Sequence, residues 1–385
     1  MTTLPAPAQP GAVLAATRAL PPPLLAAVTL DVQGGGIAAV SRMTRRALAE
    51  AWPTSRLVTL YDVPVGPGPT RPGLSAQLRF GVNVLRRQVS SAEGWILFNH
   101  LALAQAQAFV PRSFRRPYVV FLHGIEAWQP LPPSGRRALD GAALLIANSH
   151  HTAARVRAAN PGPGAIHVCQ LALDPQTIGI AADHERGSRR GRGEPLVLMV
   201  GRLVAAERYK GHDQVIEAWP VVRARVPDAR LCIVGGGDDR ERLRAKAAAL
   251  GLADAVEFTG YVSDDQRAAL YERAWVFALP SQGEGFGLVY LEAMARQLPC
   301  IASRQDAGQE VVQDGVTGYL VDQADIGGLG ERLIALLTDE QARRAMGRAG
   351  RARVCAHHTY QQFRDRLLSI VTGASTQLTG VSRWH

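Results

Sequence analysis

Short apolar runs alternate with helical stretches along most of the chain. In the first half these runs are rich in Val, Leu and Ile and are continuous rather than alternating, which is typical of strands buried on both faces of a parallel sheet. We predict strands at Leu24–Val32, Leu57–Tyr61, Gly94–Asn99, Tyr118–Leu122, Ala143–Asn148 and Ile166–Cys169. Helical stretches such as Ile37–Ala51 and His151–Ala159 lie between them.

The second half repeats this alternation. Its predicted strands are Leu196–Val200, Arg230–Val234, Val256–Phe258, Trp275–Leu279, Pro299–Ala302 and Gly318–Val321. Its predicted helices are Gln214–Arg225, Arg240–Leu250, Asp264–Arg273, Gly287–Arg296, Ile326–Leu337, Glu340–His357 and Tyr360–Val371. Two such alternations predict an α/β fold of two doubly wound, Rossmann-like domains that face a cleft, with ligands at the carboxyl ends of the strands.

A polar, glycine-rich segment at residues 185–194 separates the two halves and is typical of a linker. We therefore predict a first domain over residues 23–184 and a second over residues 195–358. A lead-in at residues 1–22, rich in Ala, Pro and Thr, is predicted to be disordered. A last helix over residues 359–373 and a tail over residues 374–385 complete the chain.

Charge is distributed unevenly. The net charge is +10, and residues 1–180 supply +9 of it, with 16 arginines against 7 acidic residues. A basic half can serve nucleic acid, a phosphorylated substrate or an anionic membrane surface. Arginine-rich composition is the plain alternative, since only 2 of the 43 basic residues are lysines. We predict that nucleic acid is not a partner, because no aromatic-interleaved basic motif or helix-turn-helix pattern occurs.

Other compositional signals indicate a cytoplasmic protein. No apolar run approaches the roughly 18 residues of a membrane-spanning helix, and the N-terminus lacks the basic and apolar regions of a signal peptide. The 4 cysteines show neither metal-ligand spacing nor a disulfide framework, so we predict buried, reduced thiols. No metal is predicted, because Asp238-Asp239 and Asp264-Asp265 are placed to cap helices.

The segment from Pro280 to Glu292 carries the most informative chemistry. A predicted strand ends there in a glycine-rich loop that opens a helix, and such a loop favours close approach of a ligand. The carboxylate of Glu284 is suited to accept hydrogen bonds from sugar hydroxyls. Glu292 lies about two helical turns further on, where it could take a ribose diol. The alternative is a helix with two solvated glutamates.

A second cluster follows the first strand of the second domain. Gly201 ends that strand, and Arg202 and Lys210 lie near the cleft end. Arginine and lysine are the natural partners of a diphosphate, and two surface cations near a turn are the alternative.

Polar and glycine residues also follow strands of the first domain. Gly34-Gly35-Gly36 comes after the first strand without completing a dinucleotide fingerprint, so a plain tight turn stays open as an alternative. His123 ends a predicted strand, where it either faces a ligand or is an ordinary turn residue. Asn148 or Ser149, after the next strand, is placed to cap a helix.

Together these residues resemble the retaining glycosyltransferases of family four, which have the GT-B fold. The resemblance covers roughly residues 24–371 and is looser in the first domain. It rests on the E-x7-E spacing of Glu284 and Glu292, on Gly201-Arg202 and Lys210-Gly211, on Gly260-Tyr261-Val262, and on Gln309-Glu310-Val311-Val312. The segments Glu207–Asp213 and His123–Trp128 resemble members that act in bacterial polysaccharide assembly, several of which use GDP-mannose.

The resemblance implies a catalytic role for four residues. Arg202 and Lys210 would hold the donor diphosphate and stabilise its leaving charge, which is an electrostatic form of catalysis. Glu284 and His123 would face the donor sugar. Because front-face departure and attack usually explain retention in this family, neither Glu284 nor Glu292 is expected to act as a glycosidase-like nucleophile.

The resemblance also implies the remaining donor contacts. Glu292 would bind the ribose, Tyr261 and Val262 would flank the base, and Gly35 and Gly36 would approach the donor phosphate or the acceptor. Backbone groups would come from Gly201, Gly285, Phe286, Gly287 and Leu288. The last helix would cross back onto the first domain.

The sequence thus predicts a retaining hexosyltransferase, with mannose favoured, acting on a polysaccharide, lipid-linked or small-molecule acceptor. The nucleotide-diphosphate sugar is a substrate, and no cofactor or metal is expected. The basic first domain is a candidate contact for an anionic membrane at the inner face. The alternatives are a nucleotide-sugar epimerase, a catalytically silent binding protein and an NAD-dependent oxidoreductase, for which the phosphate fingerprint after the first strand is poor.

Overall fold

The computed structural model describes residues 17, 20–31, 35–61, 73–90, 94–173 and 194–379. Gly34, residues 185–193 of the predicted linker, residues 380–385 of the predicted tail and most of the predicted lead-in lie outside the described residues. The chain divides into two compact units, one formed by Met1–Leu171 with Tyr360–His385 and the other by Ala172–Thr359.

The first unit is built on a six-stranded parallel sheet in the order β2-β1-β3-β4-β5-β6. Its strands are β1 (Pro23–Ala27), β2 (Arg56–Thr59), β3 (Trp95–Phe98), β4 (Tyr118–Leu122), β5 (Leu144–Ala147) and β6 (Ile166–Val168). The α-helices between them are α1 (Gly35–Ala51), α2 (Leu74–Ser90), α3 (Leu101–Ala104), α4 (Pro133–Asp140) and α5 (His150–Ala159). Short 3-10 helices cover Gln105–Phe109, Arg112–Phe114 and Ile125–Ala127.

The second unit repeats the architecture, with the order β12-β11-β10-β7-β8-β9 in a parallel sheet. Its strands are β7 (Leu196–Val200), β8 (Arg230–Val234), β9 (Val256–Gly260), β10 (Val276–Leu279), β11 (Cys300–Ser303) and β12 (Gly318–Val321). Its helices are the 3-10 helix Ala205–Lys210 and α6 (His212–Arg225), α7 (Arg240–Ala249), α8 (Asp264–Arg273), α9 (Leu288–Ala295), α10 (Gly308–Val311), α11 (Ile326–Thr338) and α12 (Glu340–His357).

The chain then ends in α13 (Tyr360–Gly373) and α14 (Ser375–Thr379), which belong to the first unit. There Glu50 of α1 accepts a hydrogen bond from Arg364 of α13 at 3.2 Å, and Arg46 lies over the ring of Tyr360. No helix in the described ranges is both long and apolar enough to cross a bilayer.

The strand orders place one switch point in each sheet. The order reverses between β1 and β3 in the first unit and between β7 and β10 in the second. Loops that leave neighbouring strands on opposite sides of a sheet open a crevice at the carboxyl ends, where ligands bind. The segments after β7 and β10, which carry Arg202, Lys210 and Glu284, therefore meet at the switch point of the second sheet.

Several predicted bounds and local roles are wrong. β1 ends at Ala27 rather than at Val32, and Gly35 and Gly36 lie in the first turn of α1 rather than in a loop. Ser263, not an aspartate, caps α8, and Asp239 makes no capping hydrogen bond because its carboxylate binds arginines. Three cysteines are buried as predicted, but Cys355 is exposed.

Candidate functional site

Backbone packing brings the segments after β7 and β10 together. Gly211 has a φ of 83°, and a Cβ at this position would lie 2.7 Å from the carbonyl oxygen of Pro280. The amide of Gln323 donates hydrogen bonds to the carbonyl oxygens of Tyr209 and Pro280, each at 2.7 Å. Glycine at position 211 is therefore required for this approach, which sets Lys210 beside the loop of Glu284.

Lys210 and Glu284 form a largely buried ion pair. Nζ of Lys210 donates a hydrogen bond to Oε1 of Glu284 at 2.6 Å, and the side chains are 13% and 16% exposed. Burial alone would lower the pKa of Lys210, but the charge and hydrogen bond of Glu284 raise it above its ordinary value. The structure thus joins two residues that the sequence predicted separately, with a fixed positive charge at the strand ends.

Arg202 is paired in a similar way. Its Nη2 donates a hydrogen bond to Oε1 of Glu207, which lies between Arg202 and Lys210 in the chain. Arg202 is half exposed, whereas Glu207 is buried. His212, also buried, opens the next helix beside Gly201, and burial together with Lys210 lowers its pKa to about 4. The sequence predicted no individual role for Glu207 or His212.

The carboxylate of Asp306 is hydrogen-bonded to the backbone of the Glu284 loop. It accepts hydrogen bonds from the backbone N–H of Glu284 at 2.9 Å and of Gly308 at 2.8 Å. Burial and the charge of Glu284 raise the pKa of Asp306 to about 7, against the lowering effect of those N–H groups. The only sequence signal for Asp306 is its place just after β11, at the same edge of the sheet.

The segment Gly285–Leu288 leads from the loop after β10 into α9. Phe286 is buried, with its ring 5.7 Å from that of His358. Gly287 has a φ of 93° and is the N-cap of α9, where no side chain caps the helix. Free amides at a helix start attract anions. A ligand contact with the backbone of Gly285 and Gly287 stays a prediction.

The other predicted contacts of the second unit lie further along the same edge. Oε2 of Glu292 is 3.8 Å from Nε of Arg267, and its side chain is partly buried on α9. Tyr261, half exposed after β9, packs against Gly236, where a Cβ would clash with its ring. Val262 follows and is half buried. The donor contacts predicted for these three residues stay predictions, since none contacts the Lys210–Glu284 pair in the described structure.

The first unit has its own polar cluster at the ends of β3, β4 and β5. Nε2 of His123 lies 2.8 Å from the carbonyl oxygen of Asn99, and Asn148 donates a hydrogen bond to the His123 carbonyl at 2.7 Å. Because a carbonyl only accepts, Nε2 carries the proton. Burial lowers the pKa of His123 despite the opposing charge of Glu126. The neutral ring therefore leaves Nδ1 as an acceptor.

Two further features belong to this cluster. The side-chain oxygens of Asn99 and Asn148 are buried without a hydrogen-bond partner in the described residues, a signal that the sequence did not reveal. Ser149 caps α5 by accepting a hydrogen bond from the N–H of Thr152 at 2.9 Å, as the capping alternative predicted. Gly35 and Gly36 are exposed at the start of α1, beside the switch point of this sheet.

Comparison with known sequences identifies related proteins. The family model for glycosyl transferases group 1 matches residues 182–353. The chain is similar to the GDP-mannose-dependent alpha-(1-6)-phosphatidylinositol monomannoside mannosyltransferase of Mycolicibacterium smegmatis, with 33% identity over 276 residues that cover 68% of this chain and 72% of the relative.

Comparison with solved structures gives the same architecture. Sucrose-phosphate synthase from Thermosynechococcus elongatus matches with a TM-score of 0.74 at 23% identity, covering 94% of this chain and 100% of that one. Anabaena HepE in complex with UDP and glucose matches with a TM-score of 0.68 at 19% identity, covering 91% and 98%. At these identities the likeness shows the fold, and it confirms the predicted pair of doubly wound α/β units.

Proposed function

Because the chain belongs to the group 1 glycosyl transferase family, we propose that it is a retaining enzyme that transfers mannose from GDP-mannose to a lipid-linked acceptor. The observation that carries this proposal is the buried Lys210–Glu284 pair at the switch point of the second sheet, with Arg202 on the same strand end. An epimerase or an oxidoreductase does not fit a chain of this family.

The donor diphosphate is assigned to Arg202 and Lys210. Arginine can hold phosphate oxygens through a fork of N–H groups, and lysine adds a compact charge. As the bond between the sugar C1 and the diphosphate oxygen breaks, negative charge grows on that oxygen, and fixed cations lower the barrier. The acceptor oxygen bonds to C1 from the same face, and its proton passes to the departing phosphate.

The donor sugar is assigned to Glu284 and to backbone groups of the Gly285–Leu288 loop. Asp306 holds the Glu284 backbone, and Lys210 holds its carboxylate, so the acceptor oxygens of Glu284 stand in a fixed place. Pre-orientation of this kind reduces the ordering cost of binding. Glu292 would take the ribose, and Tyr261 with Val262 would flank the base.

We propose that His123, at the strand ends of the first unit, contacts a sugar hydroxyl. Its neutral ring, with the proton on Nε2, offers Nδ1 to a hydroxyl donor. Gly35 and Gly36, exposed at the start of α1, would approach a phosphate or the acceptor without side chains in the way. Replacing His123 by Ala is expected to lower sugar transfer without unfolding the unit.

Mannose and a lipid-linked acceptor are proposed from the mycobacterial relative, whose name specifies GDP-mannose and a phosphatidylinositol monomannoside. The test is release of nucleoside diphosphate from GDP-mannose, UDP-glucose and UDP-N-acetylglucosamine, each with phosphatidylinositol mannoside, a soluble mannoside or no acceptor. We expect release from GDP-mannose that depends on the lipid acceptor, with an α-linked product. Turnover of a UDP-sugar alone would refute the donor, and a soluble acceptor working equally well would refute the lipid.

We also propose that helix α2 seats the enzyme on an anionic membrane. Leu74, Leu78, Val82 and Val89 are exposed, Leu74 by 78% and Leu78 by 69%, and their spacing places them on one face of the helix. Arg79 and Arg86 are exposed on the same helix, within the half of the chain that carries most of the positive charge. An apolar stripe with arginines is typical of an interfacial helix.

Vesicle sedimentation tests this surface. Binding to vesicles that contain phosphatidylglycerol should exceed binding to neutral vesicles, and the Leu74→Ser/Leu78→Ser variant should bind more weakly. Leu250→Ser, an exposed leucine of the second unit, is the matched control and should bind as the wild type does. Equal binding to both vesicle types, or no effect of the double substitution, would remove the proposal.

A further inference from the structure

Glu207 carries a buried carboxylate whose described hydrogen-bond partner is Arg202. It lies in the 3-10 helix Ala205–Lys210, and its side chain is 11% exposed. Oε1 accepts a hydrogen bond from Arg202, whereas Oε2 is buried without a hydrogen-bond partner within the described part of the chain. A buried carboxylate is unfavourable unless it is paired. The fold therefore keeps this charge in contact with the Arg202 guanidinium at a cost that a neutral side chain would avoid.

The two residues that follow Glu207 hold the backbone of this segment in place, because they contact residues that follow other strands of the sheet. Nη2 of Arg208 donates to Oδ1 of Asp239 at 3.0 Å, after β8. The carbonyl of Tyr209 accepts a hydrogen bond from the N–H of Gln282 at 2.8 Å, and a Cβ at Gly283 would clash with the Tyr209 ring, after β10. Consecutive residues thus tie this segment to the ends of two other strands, β8 and β10, so Glu207 is held in place independently of Arg202.

Arg202 is the more exposed member of the pair. Its side chain is 51% exposed and long, so without a partner it would sample several rotamers. A guanidinium has five N–H donors, and one bond to Glu207 leaves the other donors for phosphate oxygens. The Glu207 carboxylate, bound to one edge of the Arg202 guanidinium, therefore orients the guanidinium and leaves its other N–H groups available to a phosphate.

We propose that Glu207 is a positioning residue that holds the Arg202 guanidinium in the orientation that meets the donor diphosphate. This inference rests on the proposed function, because it assigns a diphosphate to Arg202. Glu207 itself touches no substrate and acts through Arg202 alone. Glu207→Gln should therefore weaken diphosphate binding and sugar transfer only while Arg202 is present.

The experiment is a double-substitution cycle in the full chain, with Glu207→Gln, Arg202→Ala and the two combined. GDP binding by calorimetry and kcat/KM with GDP-mannose are measured on each. We expect Glu207→Gln to weaken both by about three- to tenfold, the scale of one long side chain losing its order. In the Arg202→Ala background the same substitution should change neither. Glu241→Gln, an exposed glutamate on α7, is the matched control.

A second readout separates positioning from a merely structural role. Added guanidinium chloride should partly restore GDP binding to Arg202→Ala, and this rescue should disappear when Glu207→Gln is added. Equal effects of Glu207→Gln in both backgrounds, or rescue without Glu207, would overturn the proposal. If the wild type binds GDP through Arg202 but does not turn over GDP-mannose, the proposed function fails while the positioning role is still decided by the binding cycle.

Discussion

Replacing Lys210 by Met separates two roles of the Lys210–Glu284 pair, stability and sugar transfer. Methionine keeps most of the apolar stem of the lysine, which packs over Gly201. It removes the charge, however, and leaves the carboxylate of Glu284, 16% exposed, without the partner that lies 2.6 Å away. The double variant Lys210→Met/Glu284→Gln removes both charges, so no ion is left unpaired.

The magnitudes follow from the burial of the pair. Removing one member of a fully buried pair costs about 3–5 kcal/mol. Since both side chains keep some exposure, 13% and 16%, we expect the single variant to lose about 2–3 kcal/mol, or roughly 5–10 °C in Tm for a unit of this size. The double variant should recover most of this loss. Both should lose roughly 100-fold or more in kcat, because both lack the Lys210 cation on the leaving diphosphate and keep only Arg202 there.

Calorimetric Tm and kcat at saturating donor are the two measurements. Lys246→Met is the matched control, because Lys246 is the other lysine of the chain and pairs with Asp213 at 2.6 Å, away from Glu284. It should lower Tm with little effect on kcat. A double variant that is as unstable as the single one, or that regains sugar transfer, would refute these two roles of the pair.

Three further predictions concern Asp306, Gly211 and metals. The pKa of Asp306 is about 7 in the folded chain against a usual 3.8, so its contribution to stability falls as pH rises from 4 to 7 and levels off above. The free energy of unfolding of the wild type relative to Asp306→Asn should therefore decline over that window, by at most about 1.4 kcal/mol per pH unit. A difference that stays constant with pH would contradict this. Gly211→Ala should lower Tm more than Gly251→Ala does, and of the two only Gly211→Ala should reduce sugar transfer. Both positions have a positive φ, which strains alanine by about 1–3 kcal/mol, but of the two only a Cβ at Gly211 would meet the Pro280 carbonyl. EDTA should leave the rate unchanged, because Arg202 and Lys210 supply the positive charge; activity that EDTA abolishes and Mg²⁺ restores would show the opposite.

Strands buried on both faces are the part of the fold that the sequence predicts best. The strands predicted at Tyr118–Leu122, Leu196–Val200 and Arg230–Val234 have the same bounds in the structure. The strand predicted at Leu24–Val32 is too long, because the neighbouring strand β2 ends before the apolar run of β1 does. Ala27 pairs with Thr59, the last residue of β2, and the chain then turns away with the Thr29 side chain accepting the N–H of Asp31. Hydrophobicity shows burial, but the length of a strand depends on its partners.

In the candidate site, too, the sequence predicts the position of some residues and not of others. Arg202, Lys210 and Glu284 can be placed at one sheet edge from their positions after strands, because topology alone brings those ends together. The roles of Glu207 and Asp306 could not be predicted from position in this way, because a charged residue in a polar loop of the sequence is indistinguishable from a solvated one. Their burial comes from side-chain packing between segments far apart in the chain, as the bond from Glu284 to Asp306 shows. The E-x7-E spacing likewise gives no sign that Glu284 is bound by Lys210 while Glu292 faces Arg267.

We propose above all that Lys210 and Glu284, at the carboxyl edge of the second sheet, bind a nucleotide-diphosphate sugar. The most direct test of this proposal is calorimetric titration of GDP-mannose into the wild type and into Lys210→Met/Glu284→Gln, the variant expected to stay folded. We predict one donor molecule bound per wild-type chain, with affinity at least tenfold weaker in the variant. Equal affinity in the two proteins would show that the donor binds elsewhere and would contradict the account.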